Sequence, residues 1–375
     1  MDATDLPSTV SWTMPEDSTH VSIVPHWTRT EEDTNTTSIL VSCPMEPKHI
    51  SIAIVLCMIL LLGLLLNIFS VWVFMRRMPK WKPGTILQFH LAVSDAAICP
   101  LAPFIMVYFA KGGNWPFGNF MCRLKIALLT THFYGSILFL TLISVYRYVS
   151  VVYHRQDSRL KQKDFVKKLC AGVWLFVLVK GAVCAALIGE STVGNQTVCL
   201  NIHQTNNINV YFAMNLIFFI PGFLVPFSIS LYCYIRLARS VSTINICHQK
   251  GKRIKSKSYK MVAICLVIFG LCFLPMNVVR TVVVVVKKYF SGNCDLLSKV
   301  ETAYYVSWVL SSANCCLDPL IYCFSSENFT KAVRSSLRKI GVRIQTPQED
   351  SAGRGQQENN VVAHYPTWDI TDERT

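Results

Sequence analysis

Seven long apolar stretches, separated by short polar segments, run through this chain. Each is long enough to cross the hydrocarbon core of a bilayer, which takes about 20 helical residues. Backbone groups in that core must satisfy their hydrogen bonds within the segment, so the stretches predict helices. We place them at Ile50–Met75, Thr85–Ala110, Cys122–Val152, Phe165–Ile188, Asn207–Leu237, Ser258–Val286 and Leu297–Phe324. The pattern predicts an all-α membrane protein whose seven-helix transmembrane bundle occupies residues 50–324.

The segments outside the bundle are polar. Residues 1–49 are rich in Ser, Thr, Pro and acidic residues, which predicts a largely disordered N-terminal segment. Residues 325–344 combine basic residues with an apolar face, and this favours a short amphipathic eighth helix on the membrane surface over an ordinary tail. The apolar face consists of Phe329, Val333, Leu337 and Ile340. Residues 345–375 are polar and predict a disordered tail.

Composition and charge placement indicate the expected compartment. The chain is 52% hydrophobic and 15% charged, which is too apolar for an ordinary soluble protein. Its net charge of +14 would by itself suit nucleic-acid binding. The basic residues, however, cluster after the first, third, fifth and seventh stretches, whereas the N-terminal segment is acidic. By the positive-inside rule we expect a multi-pass plasma-membrane protein with an extracellular N-terminus, a cytoplasmic C-terminus and no nucleic-acid partner.

Cysteines and glycosylation sequons also lie on the predicted outer side. An even number of outer cysteines favours two disulfides, and the sequence alone leaves their pairing open. The outer cysteines are Cys43, Cys122, Cys199 and Cys294. The sequons Asn35-Thr36-Thr37 and Asn195-Gln196-Thr197 lie on the same side, so we expect glycans on Asn35 and Asn195.

Two carboxylates inside the apolar stretches are candidates for function, because ionisable groups in a membrane are costly. Asp95 lies midway along the second stretch, and Asp318 lies near the inner end of the seventh. Two carboxylates that face one interior repel each other unless a proton or a cation neutralises them. Ser136 and Asn314 offer oxygen ligands that would complete a site for a small hard cation. The alternative is a water-filled polar network that only assists helix packing.

One arginine and three prolines interrupt the apolar pattern. Arg147, near the cytoplasmic end of the third stretch, either makes charged contacts at the inner mouth or simply extends to the interface. Pro226, Pro275 and Pro319 fall in the fifth, sixth and seventh stretches. Each removes a backbone donor and predicts a kink. Kinked helices supply the hinges of a bundle that switches shape.

Short motifs fall in order along the stretches. They are Asn67 in the first, Leu91-Ala92-Val93-Ser94-Asp95 in the second, Trp115-Pro116-Phe117-Gly118 in the loop that follows, Trp174 in the fourth, Pro226 and Tyr234 in the fifth, Phe269, Cys272, Phe273 and Pro275 in the sixth, and Asp318-Pro319-Leu320-Ile321-Tyr322 in the seventh. Together they resemble the rhodopsin-like (class A) G-protein-coupled receptors, over a region from about Cys43 to Ile344.

The resemblance implies roles for these residues. Cys122 and Cys199 match the family disulfide, which leaves Cys43 to pair with Cys294. The family's sodium site, where sodium acts as a negative modulator, corresponds to Asp95, Ser136, Asn314 and Asp318. The residues that rearrange on activation correspond to Ile137, Pro226, Phe269 and Phe273 below the ligand pocket, and to Arg147, Tyr148, Tyr234, Pro319 and Tyr322 toward the inner face.

One position departs from the family pattern. Tyr146 precedes Arg147, where the family usually has an Asp or Glu that pairs with the arginine and holds the receptor inactive. Tyrosine offers at most a hydrogen bond. We therefore hypothesise raised basal activity or altered coupling.

The outer end of the sixth stretch indicates the ligand class. Arg280 lies between one and two helical turns beyond Pro275, where an arginine can bind a carboxylate or phosphate with two hydrogen bonds. This segment resembles the His-x-x-Arg/Lys element of purinergic nucleotide receptors, with Asn277 in place of the histidine and with Trp308 where that group has another basic residue. The resemblance implies an anionic ligand: a nucleotide, a lysophospholipid, a fatty-acid metabolite or a carboxylate.

Further pocket residues are predicted around Arg280 and Asn277. They are Lys125, Phe133, Tyr108, Tyr305 and Trp308. Lys180, Lys287 and Lys288 are additional cations that either assist or only extend to the interface.

The expected function is a receptor that activates a heterotrimeric G protein. The short basic loop between the fifth and sixth stretches favours the inhibitory class of G protein, and arrestin and receptor kinases are expected as further partners. A non-signalling decoy or scavenger receptor is the alternative, because Tyr146 alters the coupling motif. A transporter is a remote alternative, since no internal repeat is visible. No nucleophile–base constellation within the stretches indicates an enzyme.

Overall fold

Seven membrane-spanning segments follow one another along the chain. The computed structural model describes residues 50–152, 158–193, 195–199, 208–242 and 249–339. The first span is Ile50–Arg77, the second joins Pro83–Ala96, a 3₁₀ turn Cys99–Leu101 and Ala102–Ala110, the third is Gly118–Val151, and the fourth is Lys163–Leu187. The fifth joins Ile208–Phe219, a π-helical turn Ile220–Leu224 and Val225–Ser242; the sixth joins Gln249–Val267, a π-helical turn Ile268–Phe273 and Leu274–Tyr289; the seventh joins Cys294–Ser312 and Asn314–Ser325. The predicted all-α membrane fold is confirmed.

The helix ends differ from the prediction where polar residues continue the helix. In the described residues, six helices are long and apolar enough to cross a membrane. The seventh span is divided at Ala313. Its second half has only 12 residues, and its first half has 19 residues but contains Asp295, Lys299 and Glu301. The sixth span begins at Gln249 rather than at Ser258, because its first turns are helical although they are polar. The apolar pattern therefore marks the part of the helix that crosses the membrane and does not show where the helix begins.

The prolines of the fifth and sixth spans each lie just after a π-helical turn. Pro226 follows Ile220–Leu224, and Pro275 follows Ile268–Phe273. A proline ring clashes with the carbonyl four residues earlier, and in both spans that carbonyl belongs to the wider π turn. Pro319 lies inside the helix Asn314–Ser325. Regular α-helix is therefore interrupted beside two of the three prolines, and the kinks themselves stay predictions.

Buried side chains of the first span contact the seventh span and the amphipathic helix that follows it. The amide of Asn67 donates hydrogen bonds to the carbonyl of Cys315 at 2.7 Å and to that of Gly63 at 2.9 Å. Nearer the C-terminal end of the first span, the ring centres of Phe74 and Phe329 lie 4.7 Å apart, and Phe329 is almost fully buried. Phe329 belongs to the amphipathic helix Glu327–Lys339, so this contact holds that helix against the bundle. Ile340, the last predicted apolar residue of the face, lies outside the described residues.

A β-hairpin precedes the fifth span. Strands β1 (Glu190–Val193) and β2 (Gln196–Cys199) pair antiparallel, and Asn195 lies exposed in the turn between them. The Cys122–Cys199 disulfide ties β2 to the third span, as predicted. The backbone N–H of Trp115 also donates to the Thr197 carbonyl at 2.7 Å. The hairpin is thus fixed to two other parts of the same end of the bundle. Cys43 and Asn35 lie outside the described residues, so the Cys43–Cys294 pairing and a glycan on Asn35 stay predictions.

Candidate ligand pocket and switch residues

A cavity lies between the spans at the end where the hairpin lies. Its non-atom space of about 1070 Å³ includes space that is open to solvent. Six predicted ligand residues line it, namely Arg280, Lys125, Phe133, Tyr108, Tyr305 and Trp308. The structure therefore brings together residues from the second, third, sixth and seventh spans. Tyr134, Lys180, Tyr211 and Phe218 line the cavity as well.

Arg280 is held in place by neighbours on two spans. Its Nη2 donates to the hydroxyl of Tyr134 at 2.6 Å and to Oδ1 of Asn277 at 3.2 Å. The guanidinium carbon lies 5.4 Å from the centre of the Phe133 ring, within cation–π range. These contacts orient the guanidinium before any ligand arrives. The reorganisation that binding requires is correspondingly smaller.

Asn277 lies behind the arginine and is not one of the cavity-lining residues. It is fully buried, and its amide donates to the Phe273 carbonyl at 2.8 Å. Since its Oδ1 accepts the hydrogen bond from Arg280, Asn277 supports the anchor. Its predicted direct contact with ligand stays a prediction.

Lys125 is engaged by the hairpin and by two rings. Its ammonium donates to the Cys199 carbonyl at 3.2 Å and lies 4.8 Å from the ring centres of both Tyr108 and Trp115. The side chain is 3% exposed. It therefore lines the cavity as predicted and also joins the third span to the disulfide-linked strand.

Lys180 enters the cavity wall from the fourth span. Its ammonium lies 3.9 Å from the centre of the Tyr134 ring and 3.8 Å from that of Phe218. Lys180 is 5% exposed. Lys287 and Lys288, by contrast, are not among the described residues that line the cavity. Among the extra lysines, packing distinguishes Lys180 as the one at the pocket.

The cavity wall is electropositive. It contains Arg280, Lys125 and Lys180, and no Asp or Glu is found among the described residues that line it. None of the ion pairs in the described ranges includes Arg280 or Lys180. Low-dielectric walls concentrate the resulting field, which raises the local concentration of anions.

A row of aromatic rings leads from the cavity floor into the bundle. Phe133 meets Phe273 edge-on with 5.6 Å between ring centres, and Phe273 lies 5.7 Å from Phe269. Phe269 in turn lies 6.0 Å from Phe227, which follows Pro226. Ile137, the remaining predicted member of the switch, is fully buried in the same cluster. The predicted switch residues are thus continuous with the wall that contacts Arg280.

The residues of the predicted cation site are buried in the bundle and form two hydrogen-bonded pairs. The Ser136 hydroxyl donates to Oδ1 of Asp95 at 2.7 Å, and the Asn314 amide donates to Oδ2 of Asp318 at 3.2 Å. Oδ2 of Asp95, Oδ1 of Asp318 and Oδ1 of Asn314 are buried acceptors for which the described residues supply no hydrogen-bond donor. Such oxygens suit a hard cation.

His132 adjoins these residues and is not among those predicted from the sequence. It lies one helical turn from Ser136, it is 3% exposed, and its Nδ1 lies 3.6 Å from Oδ1 of Asp95. An ionisable residue inside an apolar stretch was the available signal. No group of three or more His, Cys, Asp or Glu in the described ranges has metal-binding geometry. A cation here would therefore depend on the hydroxyl and amide oxygens beside the carboxylates.

Of the predicted inner-face residues, Tyr234 and Tyr322 are buried, whereas Arg147, Tyr148 and Pro319 are half-buried. The Ser144 hydroxyl hydrogen-bonds the Tyr234 hydroxyl, and Tyr322 packs edge-on against Phe74 with 5.5 Å between ring centres. Tyr148 lies 6.1 Å from Tyr232. Tyr234 of the fifth span therefore contacts the third, whereas Tyr322 of the seventh contacts the first.

Tyr146, beside Arg147, packs against the start of the second span. Gly84 lies so close to it that a Cβ built there would lie 2.5 Å from Cε1 of Tyr146. The absence of a side chain at Gly84 therefore admits the ring. A contact of this kind differs from the carboxylate–arginine pair that is usual in the family the motifs resemble.

Comparisons with known proteins agree with this geometry. The family model "7 transmembrane receptor (rhodopsin family)" matches residues 66–322. The Y-type purinoceptor 2 from Homo sapiens is 32% identical over 297 residues, which cover 78% of this chain and 77% of the relative. Lysophosphatidic acid receptor 6 from Mus musculus is 30% identical over 297 residues, covering 78% of this chain and 86% of the relative. The Y-type purinoceptor 4 from Mus musculus is 32% identical over 299 residues, covering 78% and 81%.

These relatives are receptors by name, and none is an enzyme or a transporter. The matched range includes Asp95, Asp318, the aromatic row and the inner-face tyrosines described above. This chain belongs to the rhodopsin family of seven-transmembrane, G-protein-coupled receptors.

Proposed function

We propose that the outer cavity binds an extracellular anionic small molecule or lipid, and that binding activates a heterotrimeric G protein. The observation that carries the ligand class is the cavity wall, where Arg280, Lys125 and Lys180 occur without any carboxylate among the described lining residues. The relatives support this ligand class, because their names include purinoceptors and receptors for lysophosphatidic acid. Nucleotides, lysophospholipids, fatty-acid metabolites and carboxylates all carry the required charge.

The mechanism follows from the contacts of Arg280. A guanidinium has five N–H donors, and Nη2 uses its two for Tyr134 and Asn277. An anion therefore accepts hydrogen bonds from the remaining N–H groups. The guanidinium then shifts relative to Phe133, which contacts Phe273 and, through it, Phe269. A ligand that favours one packing of this row shifts a pre-existing equilibrium toward the state that opens the cytoplasmic face.

A panel of ligands with matched neutral analogues tests this proposal. Membranes that contain the full chain are assayed for GTPγS exchange with uridine and adenosine nucleotides, lysophosphatidic acid, fatty acids and dicarboxylates, each beside a neutral ester or amide. We expect only the charged compound of each pair to stimulate GTPγS exchange. Activation by a neutral analogue at equal potency would contradict the proposed ligand class.

The same membranes address the remaining expectations about signalling. We propose an extracellular N-terminus, coupling to the inhibitory class of G protein, and recruitment of arrestin after phosphorylation of the tail, which lies outside the described residues. The comparisons give no support to a non-signalling decoy. Pertussis toxin blocks inhibitory-class coupling, so a response that the toxin leaves intact would contradict that assignment.

We also propose sodium as a negative modulator at the central site. Asp95 and Asp318 would supply the charged ligands, and Ser136 and Asn314 the neutral ones. A bound cation neutralises the two carboxylates and stabilises the packing in which they lie together.

A further inference from the structure

We infer that Lys180 is a second anion anchor and that the pocket selects a doubly charged head group over a singly charged one. This inference rests on the proposed function and deepens it, since it distinguishes phosphomonoesters and dicarboxylates from monocarboxylates and phosphodiesters. Sequence patterns alone do not separate this lysine from one that only reaches the interface.

Lys180 and Arg280 lie against the same tyrosine. The ammonium lies over the face of Tyr134, 3.9 Å from its centre, and the guanidinium hydrogen-bonds its hydroxyl and lies 5.6 Å from its centre. The two cations are therefore within roughly 10 Å of each other, about one Debye length at 0.1 M salt. Like charges at this separation repel, and burial weakens the screening between them.

Lys180 has hydrogen-bonding capacity that the described residues do not use. An ammonium has three donors, yet the described chain offers Lys180 no hydrogen bond and no carboxylate, and the neighbours of its ammonium are the rings of Tyr134 and Phe218. Aromatic faces compensate only part of the cost of burying a charge. A buried cation of this kind beside an open cavity is matched by an anionic oxygen.

Lys125 does not compete for this role. Its ammonium already donates to the Cys199 carbonyl and lies against Tyr108 and Trp115. Lys180 and Arg280 share one ring, whereas Lys125 is tied to the hairpin. A head group with two negative charges neutralises both Lys180 and Arg280, whereas a monoanion neutralises the charge of only one.

Paired probes that differ by one charge test the inference. Purified full chain in nanodiscs is titrated with oleoyl-lysophosphatidic acid and its phosphate methyl ester, and with uridine 5′-monophosphate and its methyl ester. Phosphomonoesters carry nearly two charges at neutral pH, so each ester removes about one. The ratio of Kd values within a pair reports the preference for the dianion independently of whether the ligand is a lipid or a nucleotide.

We expect wild type to prefer at least one dianion over its ester by about tenfold or more, which corresponds to one extra charged contact. Lys180→Gln should abolish that preference while it leaves the affinity for the ester nearly unchanged, and Lys180→Arg should restore it. Arg280→Gln should weaken both members of a pair. Lys288→Gln is the matched control, because that ammonium lies over Phe212 and Tyr289 outside the cavity.

Each contrary outcome has a definite meaning. If wild type binds an ester as tightly as its dianion, or if Lys180→Gln retains the wild-type ratio and changes only the Tm of the unliganded receptor, Lys180 is a packing residue and the inference is wrong while the proposed function stands. If no charged probe binds wild type, the proposed function and the inference both fail. If Lys180→Gln does not fold, the ratio of Kd values within each probe pair, measured in wild type and in Lys180→Arg, still tests the inference.

Discussion

The guanidinium of Arg280 donates a 2.6 Å hydrogen bond to the hydroxyl of Tyr134, which joins the sixth span to the third across the ligand cavity. This bond links the candidate ligand anchor to the wall that Lys180 contacts from the fourth span. It also makes Tyr134 an acceptor that positions the guanidinium for an incoming anion. Changes at either end of the bond should therefore alter the potency of the ligand.

Removing the Tyr134 hydroxyl should weaken ligand binding. Tyr134→Phe keeps the ring under Lys180 but deletes the acceptor that positions Arg280. A hydrogen bond to a charged group contributes about 1.5–3 kcal/mol, so we expect agonist potency to fall by roughly 10- to 100-fold. Concentration–response curves for GTPγS exchange measure this. Tyr289→Phe, which lies outside the cavity, should leave potency unchanged, and equal curves for Tyr134→Phe and wild type would refute the positioning role.

A methyl group at Gly222 should displace the same ring. A Cβ built there lies 2.5 Å from Cε1 of Tyr134, which is closer than such atoms pack. Gly222→Ala should therefore reduce potency in the same direction as Tyr134→Phe and lower the Tm. Gly270→Ala is the matched control, since it lies in the π-helical turn of the sixth span and a Cβ there would have no atom within 4 Å. A control variant impaired as strongly as Gly222→Ala would show that alanine in a π turn, and not Tyr134, is responsible.

An acidic residue at position 146 should reduce activity without agonist. Tyr146→Asp restores the carboxylate that pairs with the adjacent arginine in most of the family and removes the ring that packs against Gly84. We expect lower basal GTPγS exchange at matched surface expression. Tyr146→Phe keeps the packing and separates the two effects. Unchanged basal exchange in Tyr146→Asp would count against the hypothesis that Tyr146 raises basal activity.

Sodium should stabilise the receptor through Asp95. Purified protein is compared in sodium chloride and in choline chloride of equal ionic strength. We expect sodium to raise the Tm and lower basal exchange in wild type, and Asp95→Asn to lose both effects because it removes a charged ligand. Asp164→Asn, at an exposed acid on the fourth span, is the control. A sodium effect that survives Asp95→Asn would place the ion elsewhere.

The sequence predicted the helices, the Cys122–Cys199 disulfide and six residues of the cavity wall, because each depends on local pattern, on family motifs or on spacing within one span. Arg280 could be found from its distance to Pro275 along a helix. The contact between Tyr134, Gly222 and Lys180 could not, since it joins the third, fourth and fifth spans and depends on how their helices turn against one another.

Two further features of the structure could not be predicted in full from local sequence patterns. The polar start of the sixth span at Gln249 is helical despite the absence of an apolar run. His132 carries the expected signal of an ionisable residue in an apolar stretch, but only packing reveals that it adjoins Asp95. Burial of a polar residue can be predicted from the stretch that holds it, whereas its partner is determined by tertiary structure.

Agonist-stimulated GTPγS exchange in wild type, Arg280→Gln and Arg280→Lys, at matched surface expression, tests the central claim most directly. The account predicts that the anion which activates wild type loses at least about 100-fold in potency with Arg280→Gln, in keeping with a lost bidentate charged contact, and that Arg280→Lys retains part of the response. An Arg280→Gln receptor that responds to the same anion with wild-type potency would contradict it.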